Sequence, residues 1–231
     1  MKLALLGYGK MGKIIEKLAI EKGHTIVYKS TRNSSNGILI DADAAIDFSS
    51  QNVAKENILK CIENEIPVVS GTTGWLNEFK EVVAFCEKRN GSFLYASNFS
   101  IGVNLFFKIN QYAAQLMEAY NDYSVSVEEI HHTEKKDAPS GTAITITEDI
   151  LKHSDKKEWI LDAEQENAIT ITAKRENDVK GTHAVSYKSS IDTLSLTHNA
   201  HSREGFALGA ILAAEWIVGK HGVFSMDDVL K

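Results

Sequence analysis

The chain has 231 residues, of which 43% are hydrophobic, with a net charge of −6 from 25 basic and 31 acidic side chains. This is enough for one large domain or two small ones and excludes a disordered chain. The acidic balance speaks against tracking nucleic-acid phosphates or an anionic membrane by bulk charge, no apolar run approaches the roughly 20 residues that span a bilayer, and Gly7 arrives too early for a secretory signal. A cytoplasmic protein without nucleic-acid or membrane partners is expected.

Residues 2–6 read as a buried strand and 11–22 as a helix with Ile14, Ile15, Leu18 and Ala19 on one face. Further strands are predicted at 25–29, 44–48, 67–70 and 93–96, helices at 52–64 and 76–89, and a polar turn at 33–37. Strands and helices alternating in this way signal a parallel α/β sheet. Cys61 and Cys86 lie in helix-like segments, form no CxxC pair, and are expected to be buried free thiols.

After residue 100 the pattern changes. A helix is predicted over 103–120, where Leu105, Ile109, Tyr112, Leu116 and Tyr120 recur at helical spacing. Alternating strands follow at 123–127, running into Glu128-Glu129-Ile130-His131-His132, and at 169–174, 184–187 and 193–198. They predict a second sheet, mixed or antiparallel. Residues 204–218 form a helix that is apolar nearly all round and needs cover on both sides, expected from the first domain.

Gly7-Tyr8-Gly9-Lys10-Met11-Gly12 is a G-x-G-x-x-G turn between strand and helix. In a dinucleotide site the first glycine makes the turn, the second lets backbone approach a pyrophosphate, and the third packs the helix, whose N–H groups face the anion. An NAD-preferring site places a carboxylate near the end of the second strand. Here the stretch reads Lys29-Ser30-Thr31-Arg32, so Lys29 and Arg32 point to a 2′-phosphate and a preference for NADPH, with NADH also possible. The same two cations also fit a merely solvated loop.

Gly71-Thr72-Thr73-Gly74-Trp75 and Ala96-Ser97-Asn98-Phe99-Ser100 follow later strands, where open α/β sheets bind ligands. Turns with Thr or Asn as helix caps are the competing reading. The densest chemistry is His131-His132-Thr133-Glu134-Lys135-Lys136-Asp137-Ala138-Pro139-Ser140-Gly141-Thr142-Ala143. Two imidazoles and two ammonium groups precede a Ser-Gly-Thr turn that opens a helix, which suits a carboxylate ligand. A histidine beside lysine has its proton equilibrium pulled by like charge, as an acid working near neutral pH requires. Neighbouring histidines on a strand point to opposite faces and no HExxH or cysteine set is nearby, so no metal is expected. Surface histidines in a charged loop are the bland alternative.

Taken in order, these segments resemble the bacterial dihydrodipicolinate reductases, now called 4-hydroxy-tetrahydrodipicolinate reductases. The resemblance spans essentially the whole chain. It rests on H-H-x-x-K-x-D-A-P-S-G-T-A at 131–143, on GYGKMG, Asp47-Phe48-Ser49, GTTGW and SNFSIGVN before it, and on Gly181-Thr182-His183 and the closing GVFSMDDVL after it. It implies an NAD(P)H-dependent reduction at C4 of a cyclic imine dicarboxylate, in the diaminopimelate route to lysine. By matching position, His131 resembles the family's general acid, Lys135 its second proton donor, and His132, Gly141 and Thr142 its substrate-binding residues. The Gly7 to Gly12 loop, Gly71, Thr72 and Thr73, and Ala96, Ser97, Asn98 and Phe99 match its cofactor contacts. The family also implies a homotetramer joined through the substrate-domain sheets and domain closure on binding.

Many family members carry an acidic residue where this chain has Ser30-Thr31 and use both cofactors, and the loop after it is short here. The expected fold class is α/β. A Rossmann-like dinucleotide-binding domain would comprise residues 1–101 and 205–231, and an α+β substrate-binding and oligomerisation domain with a mixed sheet residues 102–204. Another Rossmann dehydrogenase acting on an amino-acid-like substrate, such as an aspartate-dehydrogenase-like protein, is the alternative enzyme. A non-catalytic dinucleotide sensor is the alternative class, and the intact His131 and Lys135 argue against it.

Overall fold

The aliphatic run after Lys2 has no exposed surface to speak of, and it forms β1 (Lys2–Leu6), an inner strand of a seven-stranded sheet. In the computed structural model, which describes all 231 residues, the chain divides into two units: Met1–Ile101 with Glu204–Lys231, and Gly102–Arg203. The first unit continues through α1 (Lys10–Glu21), β2 (Thr25–Ser30), β3 (Ser35–Gly37), β4 (Ala44–Asp47), α2 (Ala54–Glu63), β5 (Val68–Ser70), α3 (Phe79–Lys88) and β6 (Ser92–Tyr95). Ends shift by one to three residues from the sequence expectation, the largest where a 3-10 turn at Leu76–Glu78 precedes α3. One difference is larger: 33–37 is not simply a turn. Ser35–Gly37 pairs antiparallel with β2, because the tight Thr31–Ser34 turn, closed by Thr31 N–H donating to Ser34 O at 2.7 Å, brings the chain back along that edge.

The second unit contains most of α4 (Ile101–Met117), then β7 (Ser124–His131), α5 (Gly141–Leu151), β8 (Glu158–Leu161), β9 (Ala168–Arg175), β10 (Thr182–Lys188) and β11 (Thr193–Asn199). Its sheet runs β11-β10-β7-β9-β8, with antiparallel pairs on one side of β7 and parallel pairs on the other, so it is mixed. Short β8 escaped the periodicity reading. The core gathers Phe106, Val127, Ile146, Ile150, Ile169 and Val185. The regular stripe that identified α4 is not its buried face: Leu105, Ile109, Tyr112, Leu116 and Tyr120 are all exposed. The opposite face, through Phe106, Asn110 and Ala114, is buried, and Asn110 donates to the Ile146 carbonyl of α5 at 3.0 Å.

The chain then returns to the first unit through α6 (Glu204–Ile217), β12 (Gly222–Phe224) and α7 (Met226–Val229). The sheet order is β12-β6-β5-β4-β1-β2-β3, parallel throughout except at β3. α1 and α6 bury Ile15, Ala19, Ala210, Ile211 and Ala214 on one face of the sheet, while α2 and α3 bury Ile58, Cys61, Val82 and Cys86 on the other. The cover that the apolar α6 needs therefore comes from its own unit. Gly209 lets α6 come that close, since a Cβ there would lie 1.7 Å from the Phe99 carbonyl oxygen. No helix is long and apolar enough to cross a membrane.

Candidate active site

In the first unit the glycine loop links β1 to α1. Gly7 has φ +98°, and a Cβ on it would meet the Phe48 carbonyl oxygen at 2.2 Å, so only glycine fits. Gly12 packs α1 onto the turn, where a Cβ would lie 2.5 Å from Gly7 O. A side chain at Gly9, the residue before α1, would meet no atom within 4 Å, so the helix N-terminus is left uncovered. A cleft of about 570 Å³ brings Gly9, Lys10 and Met11 together with Gly71, Thr72 and Thr73. An adjoining cavity of about 1030 Å³ is lined by Tyr8, Ser30, Thr31, Arg32, Ser34 and Lys60, with Glu56 its single carboxylate. Open backbone at a helix N-terminus beside a cleft of this size fits a dinucleotide pyrophosphate.

Asp47, fully buried at the end of β4, holds these loops together. It accepts hydrogen bonds from Ser70 Oγ at 2.9 Å, Thr72 Oγ1 at 2.7 Å and Asn57 Nδ2 at 3.0 Å. Burial pushes its pKa up, against the hydrogen bonds that favour the charge. Thr72 Oγ1 also receives the Ser49 N–H at 2.9 Å, so its hydroxyl is engaged by protein, whereas Thr73 is exposed. Phe99 is buried against Phe48 with ring centroids 5.8 Å apart, and Asn98 Oδ1 accepts from Ser100 N–H at 2.9 Å in the turn before α4. Ala96 donates its N–H to Ser70 O at 3.2 Å, and Ser97 is exposed beside it.

Lys29 differs from its sequence expectation. Its ammonium is paired with Glu16 and it does not line the cavity, while Arg32 does. Lys60, one helix away, supplies the cavity's other cation. Neither Glu16 nor Lys60 was marked by any local pattern, because each reaches the loop from a helix distant in sequence.

In the second unit, β7 ends at His131, which is buried, and the chain turns through Lys135 to α5. Lys135 Nζ donates to Asp137 Oδ2 at 2.6 Å. Ser140 caps α5, its Oγ accepting from Ala143 N–H at 3.2 Å, which leaves Gly141 and Thr142 in the first turn. Gly141 is exposed, and His132 and Thr142 are half-buried. The imidazole of His131 lies edge-on to that of His183, with ring centroids 5.1 Å apart. Burial lowers the His131 pKa first of all; Glu129 opposes this, and Lys135 and Arg175 add to it. Like charge from lysine is thus a contributor, with burial ahead of it.

Glu129 was not singled out from the sequence, although its spacing of two residues from His131 on an alternating strand puts both on one face. Glu129, His131 and His183 bring donor atoms within 4.8 Å of one another. Hydrogen bonds already engage two of them: Arg175 Nη2 lies 3.2 Å from Glu129 Oε1, and Ser140 Oγ lies 3.3 Å from His183 Nε2.

Comparison with known proteins places the chain in a family. Family models described as dihydrodipicolinate reductase, N-terminus, and dihydrodipicolinate reductase, C-terminus, match residues 1–99 and 102–230. The chain belongs to the dihydrodipicolinate reductase family. It is 52% identical to the 4-hydroxy-tetrahydrodipicolinate reductase of Christiangramia forsetii over all of this chain and 98% of that one, and 34% identical to that of Archaeoglobus fulgidus over the whole of both. The solved dipicolinate-bound dihydrodipicolinate reductase of Paenisporosarcina sp. TG-14 shares the fold, with a TM-score of 0.80 at 21% identity over 99% of this chain and 98% of that one. Like its family, the chain is an oxidoreductase. The match of both halves to dihydrodipicolinate reductase models favours this family over an aspartate-dehydrogenase-like enzyme.

Proposed function

We propose that the chain reduces 4-hydroxy-tetrahydrodipicolinate to tetrahydrodipicolinate with a nicotinamide dinucleotide, in the diaminopimelate route to lysine. In a chain of this family, the grouping of His131, Lys135 and the α5 N-terminus in one unit carries the reading. The reduced cofactor, held by the Gly7 to Gly12 loop and by Gly71, Thr72, Thr73 and Ala96 to Phe99, supplies a hydride when bound. The chain's own residues bind the dicarboxylate and supply a proton. His132, Lys135 and the N–H groups of Gly141 and Thr142 take the carboxylates, through charge-assisted bonds worth about 1.5–3 kcal/mol each. His131 is the proton donor. Its burial favours the neutral ring, and the two negative charges of an arriving dicarboxylate act in the opposite sense by raising its proton affinity. Lys135, already hydrogen-bonded to Asp137, is the second donor.

NADPH is the preferred cofactor in this proposal. Arg32 and Lys60 set two cations against the one carboxylate of Glu56 in the cavity beside the glycine loop, and no carboxylate occupies positions 29–32. A homotetramer is proposed as well, supported by the exposed apolar stripe of α4 and the exposed outer strand β11, and tested by light scattering on a sizing column. The decisive assay follows NADPH and NADH oxidation with substrate generated in situ from pyruvate and aspartate semialdehyde. Wild type is expected to turn over, and Lys135→Ala and His131→Ala to lose at least about 10²-fold in kcat with the fold intact. Wild-type rates in both variants would remove them from the mechanism.

A further inference from the structure

Strand geometry gathers three ionisable side chains around one carboxylate. Glu129 and His131 alternate onto the same face of β7, the β7–β10 register sets His183 opposite Glu129, and the β7–β9 register sets Arg175 beside His131. Glu129 is completely buried, a position that a carboxylate occupies only when paired. Its Oε1 meets Arg175 Nη2 at 3.2 Å. Its Oε2 accepts the Ser140 N–H at 3.1 Å and lies 3.4 Å from His131 Nδ1. Arg175 in turn donates from Nε to the Lys135 carbonyl at 3.2 Å and from Nη2 to the Asp137 carbonyl at 2.6 Å. One buried carboxylate therefore touches the general acid, the cap of the helix that begins with Gly141, and the guanidinium that grips the loop bearing Lys135.

We infer that Glu129, acting with Arg175, is a positioning residue for the reduction: it holds the His131 ring with Nδ1 toward its own carboxylate and fixes the Lys135 loop and the α5 N-terminus around it. The inference rests on the reduction proposed above. His131 Nδ1 is buried and forms no hydrogen bond, so Glu129 acts on it as a charge at 3.4 Å. A histidine whose Nδ1 faces a carboxylate carries its transferable proton on Nε2. On that side lies Gly181, where an added Cβ would sit 3.4 Å from Nε2.

The groups facing His131 are Glu129 on its own strand, Lys135 and Asp137 on the following loop, Arg175 on β9 and His183 on β10. Glu129→Gln keeps the size and removes the nearest negative charge. The full-length variant is tested by NMR titration of the His131 ring, by kcat and KM for the substrate, and by NADPH affinity. The expected result is a lower His131 midpoint and a kcat reduced by at least about 10-fold, with NADPH affinity within about 2-fold of wild type. Glu129→Asp, which retains the charge, is expected to restore the midpoint and part of kcat. Arg175→Lys keeps a cation but loses the grip on two carbonyls, so it is expected to lower kcat by about 10-fold with the midpoint retained, and it decides the matter if Glu129→Gln does not fold. An unmoved midpoint in Glu129→Gln overturns the inference, as does unchanged kcat in Arg175→Lys. Wild-type turnover, measured alongside, tests the reduction itself; if it is absent while the midpoint still moves, the reduction is wrong and the charge pairing stands.

Discussion

The Lys29 ammonium lies 2.9 Å from Glu16 Oε1 and 4.7 Å from the centre of the Tyr8 ring. Tyr8 donates its hydroxyl to the same Glu16 carboxylate, whose pKa is lowered by that bond and by Lys29. A cation already neutralised in this way contributes little attraction to a phosphate, and Arg32 carries more of it. Arg32→Ala is expected to lower the kcat/KM ratio of NADPH over NADH by about 10-fold, the scale of one charge-assisted contact. Lys29→Ala should change that ratio much less. Glu16→Gln, by releasing Lys29, should raise it. Steady-state kinetics with both cofactors checks all three.

Asp47 is the node of the cofactor-side loops. Asp47→Ala would leave the Ser70 and Thr72 hydroxyls without their acceptor in a buried place, at a cost of about 2–4 kcal/mol. Asp47→Asn keeps the volume and one carbonyl oxygen, so its cost is expected below about 1.5 kcal/mol. Urea unfolding separates the two. Dinucleotide affinity should fall with the alanine variant, because the carboxylate would no longer orient the Thr72 hydroxyl that receives the Ser49 N–H.

His183 gives the second unit a defined acid sensitivity. Burial, helped by His131, His198 and Lys135, pushes its pKa down to about 3 in the folded chain. In the unfolded chain it titrates near 6.5, so the unfolded state takes up the proton first. The associated stability is complete above about pH 6.5 and is lost as pH falls toward 3, by at most about 1.4 kcal/mol per pH unit. Urea midpoints at pH 7 and pH 5 should therefore differ for wild type, and His183→Asn should narrow the difference.

Cys61 and Cys86 are free and buried on the same side of the first sheet. Burial pushes the Cys61 thiol up to about 12 and raises Cys86 as well. Burial both hides the sulfur atoms and disfavours their thiolates, so a disulfide reagent should leave both unlabelled in the native protein and label both in urea.

Elements governed by a single period are legible in the sequence. β1, β2, β4, β5 and β6 are all legible as short β-branched or aliphatic runs, and the glycine loop is legible from its G-x-G-x-x-G spacing between a strand and a helix. Legibility stops where a side chain's partner comes from elsewhere. Periodicity found α4 from Leu105, Ile109, Tyr112, Leu116 and Tyr120, yet those side chains are exposed and a face containing two asparagines, Asn104 and Asn110, is buried. Periodicity reports that a helix is two-sided, and only the packing of its neighbours decides which side is covered.

The same division runs through the candidate site. The order and identity of its motifs, from the glycine loop to the run at 131–143, lie in the sequence itself and were enough to place the chain in its family. Tertiary structure decided which charges are available. Lys29 is paired with Glu16 across two elements, and Glu129, unremarkable in the sequence, stands buried among Arg175, His131 and His183. Strand register supplies those partners, and register joins residues that are some 46 and 54 positions apart in the chain, beyond the reach of any local pattern.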